Sequence, residues 1–232
     1  EQKAWSDYRK KYDMASNLEL LDFPIQLDFE LNASCNLKCP MCPISAESPK
    51  GKGKSTWFDF EFYKELIDYS VKHGTKAIKL NYINEPLIRN DFIKFIDYAK
   101  TKGVLDIYFS TNGILLTEKV SENLIKSGLT RLQVSIDAVT QSTYEKVRPG
   151  GSLEKVITNL ENFLKIKKKL NSIIPLVRVN FVKTNLNEFE LDEFLSYWND
   201  KVDMIGVQEF IKPTKVTKEI KSKKSFKKKN FK

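Results

Sequence analysis

No apolar run in this 232-residue chain reaches the roughly 18 residues that a membrane-spanning helix needs. The opening stretch (EQKAWSDYRKKYDMASN) lacks the basic-then-apolar order of a secretory signal, which favours a cytoplasmic setting. Histidine is nearly absent, with His73 alone, and there are only three cysteines. Three are too few for a secreted disulfide framework. They fall within eight residues and cannot all pair with one another, so they point to metal binding or catalysis. Charge of one sign is also scarce over most of the chain. The net charge is +9, but residues 215–232 hold nine Lys and one Glu, leaving 30 basic and 29 acidic side chains in the other 214 residues. A nearly neutral core carries no nucleic-acid footprint, and the like-charge block reads as a disordered, solvated tail.

What is present is a repeat of helical patterns that end in Gly and short β-rich runs that follow. Asp59 is placed to cap a helix with Phe62, Tyr63, Leu66, Ile67 and Val71 at helical spacing, and Gly74 lies just past its end. Residues 91–101 and 117–127 repeat the helix, stopped by Gly103 and Gly128. Strands are expected at residues 25–31, 76–82, 104–109, 129–136, 176–182 and 202–210, with further helices at 152–169 and 187–198. Six β units alternating with helices predict a parallel sheet with helical crossovers.

Periodicity alone leaves a doubly wound sheet and a curved partial barrel both open. The polar residues favour the barrel, because each expected strand ends in groups that chemistry can use. The cysteines follow the first strand, Asn84-Glu85-Pro86 the second, and Ser110-Thr111-Asn112-Gly113 the third. Ser135 and Asp137 end the fourth, and Gln208-Glu209 the sixth. Such convergence on the carboxyl ends of successive strands suits a barrel site, whereas a doubly wound sheet gathers its site at one crossover. The expected fold is α/β, a partial (β/α)6 TIM-like barrel.

The strongest motif is Cys35-Asn36-Leu37-Lys38-Cys39-Pro40-Met41-Cys42. A cubane iron–sulfur cluster normally takes four thiolates, so three leave one iron without a Cys ligand and open to substrate or cofactor. A zinc site completed by His73 is the alternative. His73 stands at a predicted helix end, a place better explained by the favourable interaction of His with the helix dipole.

The C-x3-C-x2-C spacing on a loop after a strand resembles the radical S-adenosylmethionine (SAM) superfamily, and the resemblance runs from about Phe23 to Phe210. It implies a [4Fe–4S] cluster on Cys35, Cys39 and Cys42, with SAM chelated at the open iron. It also implies reductive cleavage of SAM to methionine and a 5′-deoxyadenosyl radical that abstracts hydrogen from a substrate. By the same resemblance Glu85 takes the place of the acid in the family's Gly-Gly-Glu element, which accepts from the SAM amino group, although Ile83 and Asn84 replace its glycines. Ser110, Thr111 and Asn112 match a third-strand ending that lines the SAM pocket, and Ser135 a fourth-strand position facing SAM, with Asp137 shaping the loop. The segment from Tyr144 to Gly151 is similar to one typical of the SPASM-type subgroup, in which Arg148 pairs with the SAM carboxylate. Met41 matches a backbone contact to adenine, and Asn180 a contact to ribose.

SPASM-type relatives carry a further Cys-rich region, whereas this chain has no Cys after Cys42. Either auxiliary clusters are lacking or the chain is a fragment. The division expected is a lead-in over residues 1–22, a core over 23–212 and the Lys-rich tail over 213–232. The implied partners are a peptide or small-molecule substrate and a reductant such as flavodoxin or ferredoxin, with no nucleic acid and no membrane span. A non-catalytic iron–sulfur binding or sensing module is the alternative from another class.

Overall fold

The computed structural model describes residues 2–43, 45 and 56–211; the Lys-rich tail lies outside them. Helix α1 (Gln2–Ser16) precedes six strands: β1 (Gln26–Asp28), β2 (Ala77–Lys79), β3 (Asp106–Thr111), β4 (Arg131–Ser135), β5 (Leu176–Lys183) and β6 (Met204–Glu209). Between them run α2 (Phe60–Lys72), α3 (Phe92–Thr101), α4 (Glu118–Lys126), α5 (Gln141–Val147), α6 (Leu153–Lys169) and α7 (Leu191–Trp198). Side-chain caps begin several of these helices. Asp59 accepts from the Phe62 amide at the start of α2, Thr117 from Val120 at α4, Thr140 from Thr143 at α5 and Ser152 from Lys155 at α6. Each cap satisfies an amide that the first helical turn leaves without a partner. The three expected Gly stops all have left-handed φ, at 109° for Gly74, 85° for Gly103 and 88° for Gly128.

All five strand pairings are parallel and the order is sequential, β1 to β6. Right-handed crossovers in an unreversed order put every helix on the same face, so the sheet curls towards a barrel. A doubly wound sheet needs a reversal of order, and none occurs here. The chain is therefore an α/β partial barrel, as expected, with β1 and β6 as its edges among the described residues.

Alternation along the strands then sorts the side chains. Ile107, Phe109, Leu132, Val134, Val177, Val179 and Phe181 are fully buried with Ile67, Phe95, Leu124, Leu160, Phe163 and Phe194 from the helices. The intervening residues Tyr108, Ser110, Arg131, Gln133, Ser135, Arg178 and Asn180 are half-buried and face the lumen. The lead-in closes the amino-terminal end: Tyr8 of α1 is buried and donates to Asp106 at 2.9 Å, and Asp106 also takes Arg131. Two helices differ from the sequence reading. The lead-in is helical over α1, and α5 lies in a stretch read only as a motif. Phe62, expected to face inward, is exposed and stacks on Phe58.

Candidate active site

At the carboxyl ends of the strands lies a cavity of about 270 Å3. All three cysteines line it, with Met41, Glu85, Ser110, Thr111, Asn112, Ser135 and Arg148. Ten of the eleven residues singled out in the sequence thus meet at one place, although they span more than a hundred positions. The eleventh, Asn180, sits on β5 in register with Ser135. His73 does not line the cavity. It is the C-cap of α2, with its ring stacked on Tyr69.

The cysteine loop turns on a hydrogen bond from the Cys42 amide to the Cys39 carbonyl at 3.0 Å. Cys35 Sγ accepts from the Leu37 amide at 3.5 Å and from Asn112 Nδ2 at 3.9 Å. The same Asn112 nitrogen donates to Asn36 Oδ1 at 2.7 Å, which ties the loop to the end of β3. Burial pushes the Cys39 thiol up to about 11 and raises that of Cys35, with the neighbouring thiols adding to both.

Glu85 is fully buried and caps a 3-10 turn at Pro86–Ile88. Its carboxylate accepts from Thr111 Oγ1 at 2.8 Å, the Asn112 amide at 2.8 Å and the Leu87 amide at 3.2 Å. Burial nevertheless dominates and raises its carboxyl to about 7, against the lowering effect of those donors and of Arg148. Thr111 and Asn112, expected as direct pocket contacts, thus also work as the groups that aim Glu85.

Arg148 is the C-cap of α5 and is buried. Its Nε and Nη2 both go to Asp137 Oδ2, Nε at 2.8 Å. Burial alone would lower its proton affinity, but the Asp137 carboxylate together with Cys39 and Tyr144 raises it and holds the guanidinium charged. Asp137 has a left-handed φ of 63°, and its Oδ1 takes the Val182 amide at 2.7 Å. It therefore joins the end of β4, the α5 cap and β5.

Sequence reasoning missed Glu30. Its carboxylate accepts from the backbone amides of Tyr82, Ile83 and Asn84 at 3.1, 2.8 and 3.2 Å, so this loop's N–H groups are held by the protein itself. Asn84, expected in place of a family glycine, contributes its side chain: Nδ2 donates to the Asn32 carbonyl, while Oδ1 is buried, unpaired and beside the cavity. A polar residue near the end of the expected first strand was the only signal for Glu30, and many surface residues share it.

The Radical SAM superfamily profile matches residues 30–183, which include the whole cysteine loop and four of the six strands in full. The chain belongs to the radical SAM superfamily. Among curated relatives, a probable GTP 3′,8-cyclase of Methanocaldococcus jannaschii is 30% identical over 185 residues, covering 80% of this chain and 58% of that protein. The mycofactocin maturase MftC of Mycolicibacterium smegmatis is 32% identical over 178 residues, covering 75% of this chain and 41% of that protein. The chain thus spans roughly half the length of these radical SAM relatives. A crystal structure of Streptococcus suis SuiB bound to S-adenosylmethionine shares the fold, with a TM-score of 0.68 at 17% identity, over 91% of this chain and 46% of that one.

Radical SAM proteins use a [4Fe–4S] cluster and SAM. The residues here fit that pair. No three His, Cys, Asp or Glu side chains among the described residues converge on a single-ion position. Three thiols spaced around a cavity suit a cubane, whose ligands bind separate irons. The N–H donors to Cys35 Sγ are of the kind that tune cluster sulfurs. The buried, unpaired Asn84 Oδ1, the Glu85 carboxyl and the Arg148 guanidinium supply contacts for a zwitterionic cofactor.

Proposed function

We propose that this chain is the core of a radical SAM enzyme in which Cys35, Cys39 and Cys42 hold a [4Fe–4S] cluster and the same cavity takes SAM. The observation that supports this reading is the meeting of three thiols, a buried carboxylate and a buried guanidinium at the carboxyl ends of successive strands. When bound, the pair supplies reductive cleavage of SAM and a 5′-deoxyadenosyl radical able to abstract hydrogen.

The chain's own residues bind, orient and exclude water. Glu85 has filled three of about four acceptor positions, leaving one for the SAM ammonium beside Asn84 Oδ1. Arg148 commits Nε and Nη2 to Asp137, which leaves Nη1 for the SAM carboxylate. Ser135, Ser110 and Asn180 serve the ribose side, and the Met41 backbone serves adenine. Thr111 and Asn112 act through Glu85. A reductant such as flavodoxin or ferredoxin supplies the electron, and the substrate is a peptide or a small molecule. The relatives' names point both ways, towards a nucleotide for the GTP 3′,8-cyclases and towards a peptide for SuiB, which has been solved with the precursor peptide SuiA.

The test is anaerobic: reconstitute with iron and sulfide, reduce, add SAM, and measure 5′-deoxyadenosine. We expect production that is lost in Cys35→Ala, Cys39→Ala and Cys42→Ala. A loaded four-iron cluster that never cleaves SAM would favour a binding or sensing module. Tetrahedral zinc in place of the cluster would refute the reading.

A further inference from the structure

The chain has five arginines, and four of them have a carboxylate partner: Arg9 with Asp13, Arg89 with Asp91, Arg131 with Asp106 and Arg148 with Asp137. Arg178 has none among the described residues, and its Nε is buried without a hydrogen-bond partner. It projects from β5 on the lumen face, between fully buried Val177 and Val179, which face the helices. A half-buried cation left unpaired inside a protein is unfavourable unless something else completes it.

Its position is built by Gly206. That glycine lies in the middle of β6, where glycine weakens a strand and often marks a close approach. A Cβ at Gly206 would stand 2.0 Å from Arg178 Nη2, 2.3 Å from Nε and 2.4 Å from Cζ. The Nε–Nη2 edge of the guanidinium therefore abuts the β6 backbone at Gly206. Gly206 is in register with Asn180, and Asn180 with Ser135, which lines the cysteine cavity. Although Arg178 starts one same-face step below, its head reaches this level. Beside it stands Asn180, whose Oδ1 is likewise buried and unpaired. Val182, the next same-face residue of β5, lines the cavity itself.

We propose that Arg178, seated on Gly206, anchors an oxyanion group of the substrate, a carboxylate or a phosphate, on the β5–β6 side of the cavity. This deepens the reading above, since it assumes that the cavity is a catalytic site. With its Nε–Nη2 edge against Gly206 and no protein carboxylate to occupy it, the guanidinium offers its Nη1–Nη2 end, which matches both anions by paired hydrogen bonds. The substrate class that follows is an anionic one, held by its charged end so that the rest of the molecule extends past Ser135 towards the cysteines.

The test needs no catalysis. In 15N-labelled, iron-free protein, the Arg Nε–H resonance that disappears in Arg178→Lys is followed while inorganic phosphate or acetate is added. We expect a saturable shift with at least one anion, and binding about tenfold weaker or worse in Gly206→Ala, which keeps the arginine but removes its seat. A phosphate-only response assigns a phosphorylated substrate, and an acetate-only response a carboxylate. No saturable shift with either anion overturns the proposal. So does competition by SAM, because the guanidinium would then serve the cofactor's carboxylate. Absence of 5′-deoxyadenosine from the reconstituted wild type, with the anion shift intact, would refute the catalytic reading and leave an anion site standing.

Discussion

Replacing Asp137 by Asn removes one negative charge from the interior and little else. The Asp137 side chain is wholly buried and that of Arg148 is 10% exposed, so the guanidinium loses its counter-ion where water cannot readily replace it. Asn keeps an oxygen for the Val182 amide and tolerates the left-handed φ of 63°. Its amide nitrogen then faces Arg148 Nε, donor against donor. Breaking a buried pair from one side typically removes about 3–5 kcal/mol, and we expect about 4 here. Asp137→Ala should lose about 1–2 kcal/mol more, through the Val182 hydrogen bond and the strained φ. Adding Arg148→Met to Asp137→Asn should recover most of the loss, because two neutral side chains leave no stranded charge. Urea unfolding of iron-free protein under reductant measures this. For a slope of roughly 2–3 kcal/mol per molar, the midpoint should fall by about 1.5–2 M. A stability for Asp137→Asn within about 0.5 kcal/mol of wild type would show that Arg148 finds another partner, and the argument for a buried, charge-paired Arg148 would fail.

Glu85 gives stability a pH dependence of defined sign. Its carboxyl is raised from 4.5 to about 7, so between those values the folded state holds more protons than the unfolded state. Its contribution is fully present below pH 4.5 and declines as pH rises to 7, by up to roughly 3 kcal/mol. Urea midpoints at pH 4.5 and 8 should move Glu85→Gln relative to wild type by that amount in the variant's favour, and a pH-independent difference would contradict the buried carboxylate. Cys39, pushed up to about 11 from 9.0 by burial, should be alkylated by iodoacetamide about 100-fold more slowly at pH 8 than an ordinary thiol in the iron-free protein. Mass-spectrometric rates at the ordinary thiol value would contradict its burial.

The sheet was legible because its signals are local. Alternating apolar residues mark β3, β4 and β5, Gly stops end α2, α3 and α4, and Asp59, Thr117 and Ser152 mark helix starts. Helix α5 escaped because seven residues hold only two turns, and α1 because it buries Tyr8 alone. The cysteine triplet was legible because its ligands are neighbours in the chain.

The sequence by itself determined the periods, the turn positions, the thiol set and therefore the family. Only the tertiary structure decided how the polar groups pair. Glu30 reaches 53 residues to Ile83, Glu85 takes the amide of Asn112, and Arg148 goes to Asp137. Period two says which face a strand residue occupies, but not which group lies within 3 Å of it on another strand. Satisfaction is a property of neighbours in space. That is why the structure alone shows the Asn84 and Asn180 oxygens and the Arg178 nitrogen left over, and those leftover groups point to what the site receives.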